Sequence, residues 1–186
     1  MGVKDILPWF VALTRNPRQM GAILPATQAL ASAMAETAVN GRSGSSIVEI
    51  GAGSGKVTDA LLRHSNGRAR IRAIEANQHL AERLRQRLPA IDVVSGRFEE
   101  ATERIFAGMH QAIVVSSVPL FSLHDDSRSA YFGALAKAIQ RGWVSRYVQY
   151  TYWPVLPWAA AKTLCGTGPR LVALNLPPAW IWSQDH

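Results

Sequence analysis

The sequence I-V-E-I-G-A-G-S-G, which spans Ile47–Gly55, decides how the rest of the chain is interpreted. Its first half is apolar and partly β-branched, as in a buried strand, and its second half has glycine at every other position. Glycine permits positive φ and has no Cβ, so such a loop lets a ligand approach the main chain closely. The stretch therefore predicts a strand, a ligand-binding turn and the start of a helix.

Spacing excludes two common phosphate-binding loops. A P-loop needs glycine five positions before its G-K pair and Ser or Thr after the pair. Ile50 and Val57 occupy those positions here. A dinucleotide fingerprint needs G-x-G-x-x-G, whereas the spacing here is G-x-G-x-G. A second carboxylate, Glu75, ends the next apolar run, about twenty residues further on, where an acidic side chain can bind ribose hydroxyls.

Strands and helices alternate along most of the chain. We predict strands over 47–50, 71–75, 91–95, 111–117, 144–152, 171–175 and 179–182, and helices over 26–39, 56–64, 78–88, 126–140 and 158–164. Asn77 is the expected N-cap of the third of these helices. The alternation predicts an open, mostly parallel α/β sheet with helices on both faces, which binds ligands at the carboxyl ends of its strands.

Length, composition and charge indicate the number of domains, the cellular compartment and the kind of partner surface. The 186 residues suggest a single domain over 1–186 with a substantial core. The single Cys165 excludes an intramolecular disulfide framework and fits a reducing cytoplasm. No apolar run has the length of a membrane span, and no signal peptide is expected. The net charge of +7 indicates an acidic partner surface, either nucleic acid or anionic lipid.

The N-terminal segment 3–14 is predicted to be an amphipathic helix. Apolar side chains recur at helical spacing at Ile6, Trp9, Phe10 and Leu13. The basic residues Arg15 and Arg18 follow it. Such a helix either caps the domain or lies on an anionic membrane, with its aromatic side chains at the headgroup boundary.

Glu49, the alternating glycines and Glu75 resemble the cofactor site of class I S-adenosylmethionine (SAM) methyltransferases. That resemblance implies a Rossmann-like, mostly parallel sheet of seven strands, here with additional amphipathic helices at the N-terminus. It also implies that the glycine loop holds the amino-acid end of SAM and that Glu75 holds its ribose. We expect residues 1–40 to form a helical extension for membrane contact and active-site cover. No metal ion is predicted.

The loop after the predicted fourth strand concerns the methyl acceptor. Enzymes that methylate adenine N6 carry N/D-P-P-Y or N-L/I-P-Y/F there, with an amide for the amino group and a ring for the base. This chain has Ser117-Val118-Pro119-Leu120, which keeps the proline but lacks the amide and the ring. Nucleic acid is therefore not the expected acceptor.

Six segments of the chain resemble the bacterial phospholipid N-methyltransferases of the Pmt type. They are G-A-I-L-P (21–25), V-E-I-G-A-G-S-G (48–55), A-I-E-A-N (73–77), V-S-S-V-P-L (115–120), Q-Y-T-Y-W-P (149–154) and N-L-P-P-A-W-I-W (175–182). The resemblance implies stepwise N-methylation of phosphatidylethanolamine towards phosphatidylcholine. It further implies a cytoplasmic protein bound peripherally to the inner face of the cytoplasmic membrane, with a phospholipid substrate.

The resemblance and the strand ends together give three sets of candidate residues. SAM binding is expected from Glu49, Gly51, Ala52, Gly53, Gly55, Glu75, Ala76, Gly96, Arg97, Phe98 and Ser116. The catalytic candidates are Tyr152, Ser117 and Asn175. Contact with substrate or membrane is expected from Trp9, Phe10, Leu13, Arg15, Arg18 and Tyr150.

One position departs from the family. After the third strand the family usually has G-D-A, whose Asp meets the adenine amino group, whereas this chain has Gly96-Arg97-Phe98-Glu99. Arginine has no acceptor atom in its side chain, which leaves stacking by Phe98 and acceptance by Glu99 as the expected substitutes. Two alternatives stay open: methylation of rRNA, another nucleic acid or a protein by the same fold, and a non-catalytic module that binds SAM or lipid.

Overall fold

The computed structural model describes residues 26–42, 45–152, 169–175 and 177–186. The predicted helices over 3–14 and 158–164 lie outside the described residues. So do the membrane candidates Trp9, Phe10, Leu13, Arg15 and Arg18.

The described residues form five α-helices, seven strands and one short 3₁₀ turn. The helices are α1 (Gln28–Val39), α2 (Lys56–His64), α3 (Gln78–Arg87), α4 (Phe98–Phe106) and α5 (Asp125–Gln140). The strands are β1 (Ser46–Ile50), β2 (Arg70–Glu75), β3 (Asp92–Ser95), β4 (Ala112–Ser116), β5 (Val144–Thr151), β6 (Arg170–Val172) and β7 (Ala179–Asp185). The 3₁₀ turn covers Leu120–Ser122.

The seven strands form one sheet in the order β3-β2-β1-β4-β5-β7-β6. Strands β1 to β5 are parallel, and β7 runs antiparallel to both β5 and β6. The chain first builds outward from β1 through β2 to β3, and then builds in the other direction from β4. Between β1 and β4 the strand order therefore reverses, and open α/β sheets bind their ligands at such a reversal.

Helices cover both faces of the sheet, because the central strands are apolar on both sides. Helices α1, α2 and α3 pack on one face, with fully buried side chains that include Leu30, Met34, Ile47, Leu61 and Ile113. Helices α4 and α5 pack on the other face, together with Val48, Ile105, Val114 and Leu135. The predicted arrangement of a mostly parallel sheet between two helical layers is confirmed.

Local signals explain most element boundaries. Asn77 caps α3 as predicted, since its side chain accepts from the N–H groups of His79 and Leu80. Helix α4 was not predicted. Its first turn carries the polar Glu99 and Glu100, and its buried side chains lie at its two ends. The structure also shortens the predicted strand over 171–175, which turns after Val172, and extends the last strand to Asp185.

Candidate active site

The glycine loop connects β1 to α2 at the reversal of strand order. Gly51, Gly53 and Gly55 all have positive φ, at 78°, 54° and 80°. A Cβ added to Gly51 would lie 3.3 Å from Cγ2 of Val118, in the loop after β4. The glycine loop and the predicted acceptor loop are thus in close contact.

Gly55 differs from the other two because it faces protein. It caps α2, and an added Cβ would lie 2.5 Å from Cδ1 of Leu84 on α3 and would also collide with Arg87. The Arg87 guanidinium donates to the Asp59 carboxylate at 2.7 and 2.8 Å and to the Ser54 carbonyl at 3.1 Å. The third glycine therefore permits helix packing and does not line the cleft described below.

Glu75 fastens the glycine loop. One carboxylate oxygen accepts from the Gly53 N–H at 2.8 Å, and the other accepts from the Asn77 N–H at 2.8 Å. A carboxylate has about four lone-pair sites, so both oxygens can take a further donor, such as a hydroxyl group. The side chain lies at the rim of the cleft and is 9% exposed.

Glu49 lies beneath the loop and is fully buried. Its Oε2 accepts from the Thr58 hydroxyl at 2.6 Å, whereas its Oε1 has no partner among the described residues. Burial raises the pKa of this carboxyl to about 8, and the nearby charges of Asp59 and Glu75 act in the same direction. Near neutral pH this carboxyl group is therefore mostly protonated, and one of its oxygens has no hydrogen-bond partner among the described residues.

A cleft of about 540 Å³ opens at the carboxyl ends of the first four strands. This volume is typical of small-molecule sites. Of the residues predicted to act here, the cleft is lined by Gly51, Gly53, Glu75, Ala76, Gly96, Arg97, Phe98 and Ser117. Four predicted cofactor residues lie beside or beneath it instead, namely Glu49, Ala52, Gly55 and Ser116.

The residues that follow β3 form one wall of the cleft. Arg97 donates through Nε to Glu99 Oε1 at 2.6 Å, and both residues line the cleft. Phe98 is buried, with its ring centroid 5.3 Å from that of Tyr131 and 6.3 Å from that of Phe106. The Phe98 ring therefore packs mainly against α4 and α5. Glu99 provides the carboxylate at this wall that can accept a hydrogen bond.

The loop after β4 forms the opposite wall. The Ser117 N–H donates to the Ile50 carbonyl at 2.8 Å, which continues the pairing of β4 with β1. The Ser117 hydroxyl is buried and has no partner among the described residues. Val118, Pro119 and Leu123 also line this wall. Ser117 is thus a hydrogen-bonding group that has no partner within the described part of the chain and lies in largely apolar surroundings.

Tyr131, Tyr147 and Gln149 form a buried polar cluster that the sequence did not reveal. The three side chains are 2%, 0% and 0% exposed. They lie behind the loop after β4, and only Tyr131 reaches the cleft. Burial raises the pKa of Tyr131 to about 12 and holds the pKa of Tyr147 well above its usual value. Both phenols therefore stay protonated at neutral pH and can act as hydrogen-bond donors.

Tyr150, Tyr152 and Asn175 come together at a different place, near the start of α1. The two tyrosine rings meet edge to face at 5.5 Å. The Asn175 Oδ1 accepts from the Thr27 hydroxyl at 2.6 Å, and its Nδ2 donates to the Pro177 carbonyl at 2.6 Å. Burial raises the pKa of both tyrosines, so neither phenol is an anionic base at neutral pH. None of the three lines the 540 Å³ cleft.

Within 26–42, 45–152 and 169–186 without residue 176, no helix has the length and apolar character needed to cross a bilayer. The same residues contain no group of three or more His, Cys, Asp or Glu side chains arranged to hold a metal ion.

No family model matches the sequence, and comparison with curated proteins finds no match. Solved structures do match the fold. TrmN from Thermus thermophilus has a TM-score of 0.62 at 15% identity, with 86% of this chain and 48% of TrmN covered. The 1,6-didemethyltoxoflavin-N1-methyltransferase of Burkholderia thailandensis, solved with bound S-adenosylhomocysteine (SAH), has a TM-score of 0.59 at 16% identity, with 97% and 87% covered. A putative RNA methyltransferase from Pyrococcus horikoshii has a TM-score of 0.55 at 14% identity, with 83% and 82% covered.

These similarities concern the fold, because the identities are low. The chain spans about half of the length of TrmN (48%) and most of the length of the other two proteins. The fold is that of the class I SAM-dependent methyltransferases, and the predicted fold class is confirmed for the described residues. The neighbours differ among themselves in their acceptors, so the fold does not identify the acceptor of this chain.

Proposed function

We propose that this chain is a SAM-dependent methyltransferase whose cofactor occupies the 540 Å³ cleft. The observation that carries the proposal is the Glu75 carboxylate, which holds the Gly53 N–H at 2.8 Å at the point where the strand order reverses. This arrangement leaves lone pairs for the ribose hydroxyls of a nucleoside and exposes glycine backbone to the rest of the ligand.

The residues of the cleft fit the chemical features of SAM. Gly51 and Gly53 line the cleft with main chain that carries no Cβ, and the Val118 side chain lies against Gly51. Glu75 supplies an acidic group for a ligand that carries a sulfonium and an ammonium charge, whereas Glu49 lies beneath the loop as a mostly protonated carboxyl group. Bound SAM supplies an electrophilic methyl group, so the protein mainly has to orient and desolvate the acceptor.

We further propose that the acceptor is the amine of phosphatidylethanolamine and of its methylated derivatives. The six segments that resemble phospholipid N-methyltransferases support this choice. The wall formed by Val118, Pro119 and Leu123 also supports it, since it is apolar and its loop lacks the amide and ring that hold a flipped adenine. In that wall, Ser117 offers an amine a hydroxyl group that no described residue binds.

The proposed setting is the cytoplasmic face of a membrane, where the protein binds peripherally to anionic lipid. The net charge of +7 and the amphipathic pattern of residues 3–14 support this setting. Removal of residues 1–15 is expected to reduce sedimentation with anionic vesicles. Equal sedimentation of the shortened and full-length chains would contradict membrane binding through this segment.

RNA is the second candidate acceptor, because the same net charge of +7 suits a phosphate backbone. A decisive assay uses SAM with a labelled methyl group and offers vesicles of phosphatidylethanolamine, vesicles of its monomethyl form, and total RNA in separate reactions. Label in lipid supports the phospholipid proposal. Label in RNA alone, or no labelled lipid with any vesicle, contradicts it.

Calorimetric titration with SAH tests the cofactor proposal separately. Binding without methyl transfer to any acceptor would indicate a SAM-binding module without catalysis. Absence of binding to both SAH and SAM would contradict the assignment of the cleft.

A further inference from the structure

A continuous chain of buried hydrogen bonds runs behind the wall of the cleft that β4 provides. The Tyr131 hydroxyl is 2.8 Å from Ser116 Oγ and 3.0 Å from the Tyr147 hydroxyl. The Tyr147 hydroxyl in turn donates to Gln149 Oε1 at 2.8 Å. The four side chains come from β4, α5 and β5 and are at most 2% exposed.

Both ends of this chain hold the same residue, Val118. Ser116 Oγ accepts from the Val118 N–H at 3.3 Å. Gln149 Nε2 donates to the Val118 carbonyl at 3.0 Å, and also to the Tyr150 carbonyl at 2.8 Å. Side chains thus hold both polar groups of the Val118 peptide backbone, outside any strand or helix.

Val118 is where the two loops of the cleft meet. Its Cγ2 lies 3.3 Å from the position of a Cβ on Gly51, and its neighbours Ser117 and Pro119 line the acceptor wall. A shift of Val118 would therefore change the distance between the cofactor loop and the acceptor wall. Misplacement of reacting groups by about 1 Å can reduce a rate by about a hundredfold.

The cluster is too polar to be explained by stability alone. Hydrogen-bonded polar groups in a core add little more to the free energy of unfolding than apolar groups of the same shape. They do, however, fix one arrangement of their partners. The chain of hydrogen bonds ends on the amide of Gln149, which takes up no proton at neutral pH. It therefore does not carry a proton away from the cleft.

We infer that Tyr131, Tyr147 and Gln149 are positioning residues, which fix the main chain of Val118 and so set the place of the acceptor against the cofactor loop. This inference rests on the proposed methyltransferase function. Substitution of Tyr147 tests this inference most directly, because Tyr147 is fully buried and does not line the cleft. Any effect of its hydroxyl on transfer must act through its neighbours.

The test replaces Tyr147→Phe and Gln149→Met in the full chain. Hydrogen–deuterium exchange of the peptide 117–123 should become at least about threefold faster in both variants, while exchange in β1 stays unchanged. Methyl transfer to phosphatidylethanolamine vesicles should show kcat lowered by about tenfold, with the Kd for SAH within about threefold of the wild-type value. The double variant should be no slower than Gln149→Met, because the residues act as a unit.

Ser145→Ala is the matched control. Ser145 is a buried residue of β5, and its hydroxyl donates to the Gln111 carbonyl at 2.7 Å at the opposite end of the strand. This variant should leave exchange of 117–123 and kcat unchanged. A thermal melt of each variant sets the temperature at which all are folded.

Two results would overturn the inference. One is unchanged exchange of 117–123 in both Tyr147→Phe and Gln149→Met. The other is an equal change in Ser145→Ala, which would indicate general loosening of β5. If the wild-type chain transfers no methyl to lipid, the proposed acceptor is wrong, and the exchange measurement still decides whether these residues hold Val118.

Discussion

The two halves of the cleft are built in different ways. On the cofactor side, backbone N–H groups and glycines form the surface, and Glu75 fastens them by contacts to residues that are 2 and 22 positions away. On the proposed acceptor side, the wall is held by a buried chain of side chains from Ser116 to Gln149, whose successive partners are 15, 16 and 2 positions apart. A surface made of backbone suits one unchanging ligand, whereas a wall held by side chains can change with the acceptor while the sheet is kept.

Gly55→Ala is the most severe way to disturb the cofactor side. The substitution forces a Cβ onto a residue with φ of 80° and into contact with Leu84, 2.5 Å away. We expect the free energy of unfolding to fall by about 3 kcal/mol from backbone strain and overpacking together. Urea denaturation measures the change.

Gly67→Ala separates these two causes. Gly67 has a similar φ of 68°, but an added Cβ would meet nothing within 4 Å. We expect a loss of about 1 kcal/mol from strain alone. Equal losses in the two variants would show that the contact of α2 with α3 does not require glycine at position 55.

The buried carboxyl of Glu49 should make the stability of the fold depend on pH. Its pKa of about 8 in the folded chain lies above its ordinary value of 4.5, so the folded state keeps a proton that the unfolded state releases between these values. Stability from this group is complete below the lower value and is lost as the pH rises through the upper one. As the pH rises, the free energy of unfolding of the wild-type chain should fall, relative to that of Glu49→Gln, by up to about 1.4 kcal/mol per pH unit.

Urea denaturation at about pH 5, 6 and 7 tests this slope at constant ionic strength. Glu49→Gln is itself the control, because it keeps the size of the side chain and does not titrate. A difference between the two proteins that does not change with pH would mean that Glu49 is ionised when folded.

Glu75→Gln tests the fastening of the loop. The amide oxygen can replace only one of the two acceptors that hold the N–H groups of Gly53 and Asn77. Loss of a charged hydrogen bond corresponds to about 2 kcal/mol, or about thirtyfold weaker binding. Calorimetry with SAH measures this change, and Glu82→Gln, an exposed substitution on α3, should leave the Kd unchanged.

Arg97→Ala should have the smallest effect. Its ion pair with Glu99 lies at the rim, and the Arg97 side chain is 46% exposed. Exposed ion pairs contribute at most about 1 kcal/mol, so the Kd for SAH should change by less than about fivefold. A larger loss of affinity would show that Arg97 contacts the ligand directly and would weaken the contrast between a backbone-built and a side-chain-built wall.

The sequence predicted the elements around the glycine loop well because their signals are local. Helix α2 covers the predicted residues Lys56–His64, and Glu75 ends its strand at the predicted position. Glycine spacing and a carboxylate at a strand end depend on a few neighbouring residues. For the same reason the prediction identified the loop but not the role of Gly55, whose partner Leu84 lies on another helix.

The acceptor side could not be predicted in the same way. The contacts of Tyr131 with Ser116 and Tyr147 depend on how α5 packs on the sheet. One signal was present: Tyr147 and Gln149 are two residues apart in a strand and so share a face, and the polar Ser145 and Thr151 lie at the same spacing. Asn175, by contrast, was singled out by the sequence as a catalytic candidate. In the structure its amide is hydrogen-bonded to Thr27 and Pro177.

The two hydrogen bonds of Glu75 also have a thermodynamic consequence. They hold the glycine loop in its curved form through protein contacts alone. Ordering a single residue costs about 1–2 kcal/mol of backbone entropy, and glycine loses the most freedom. Because that cost has already been met during folding, a ligand that enters the cleft meets a receptor of fixed shape, and more of its contact energy remains as affinity.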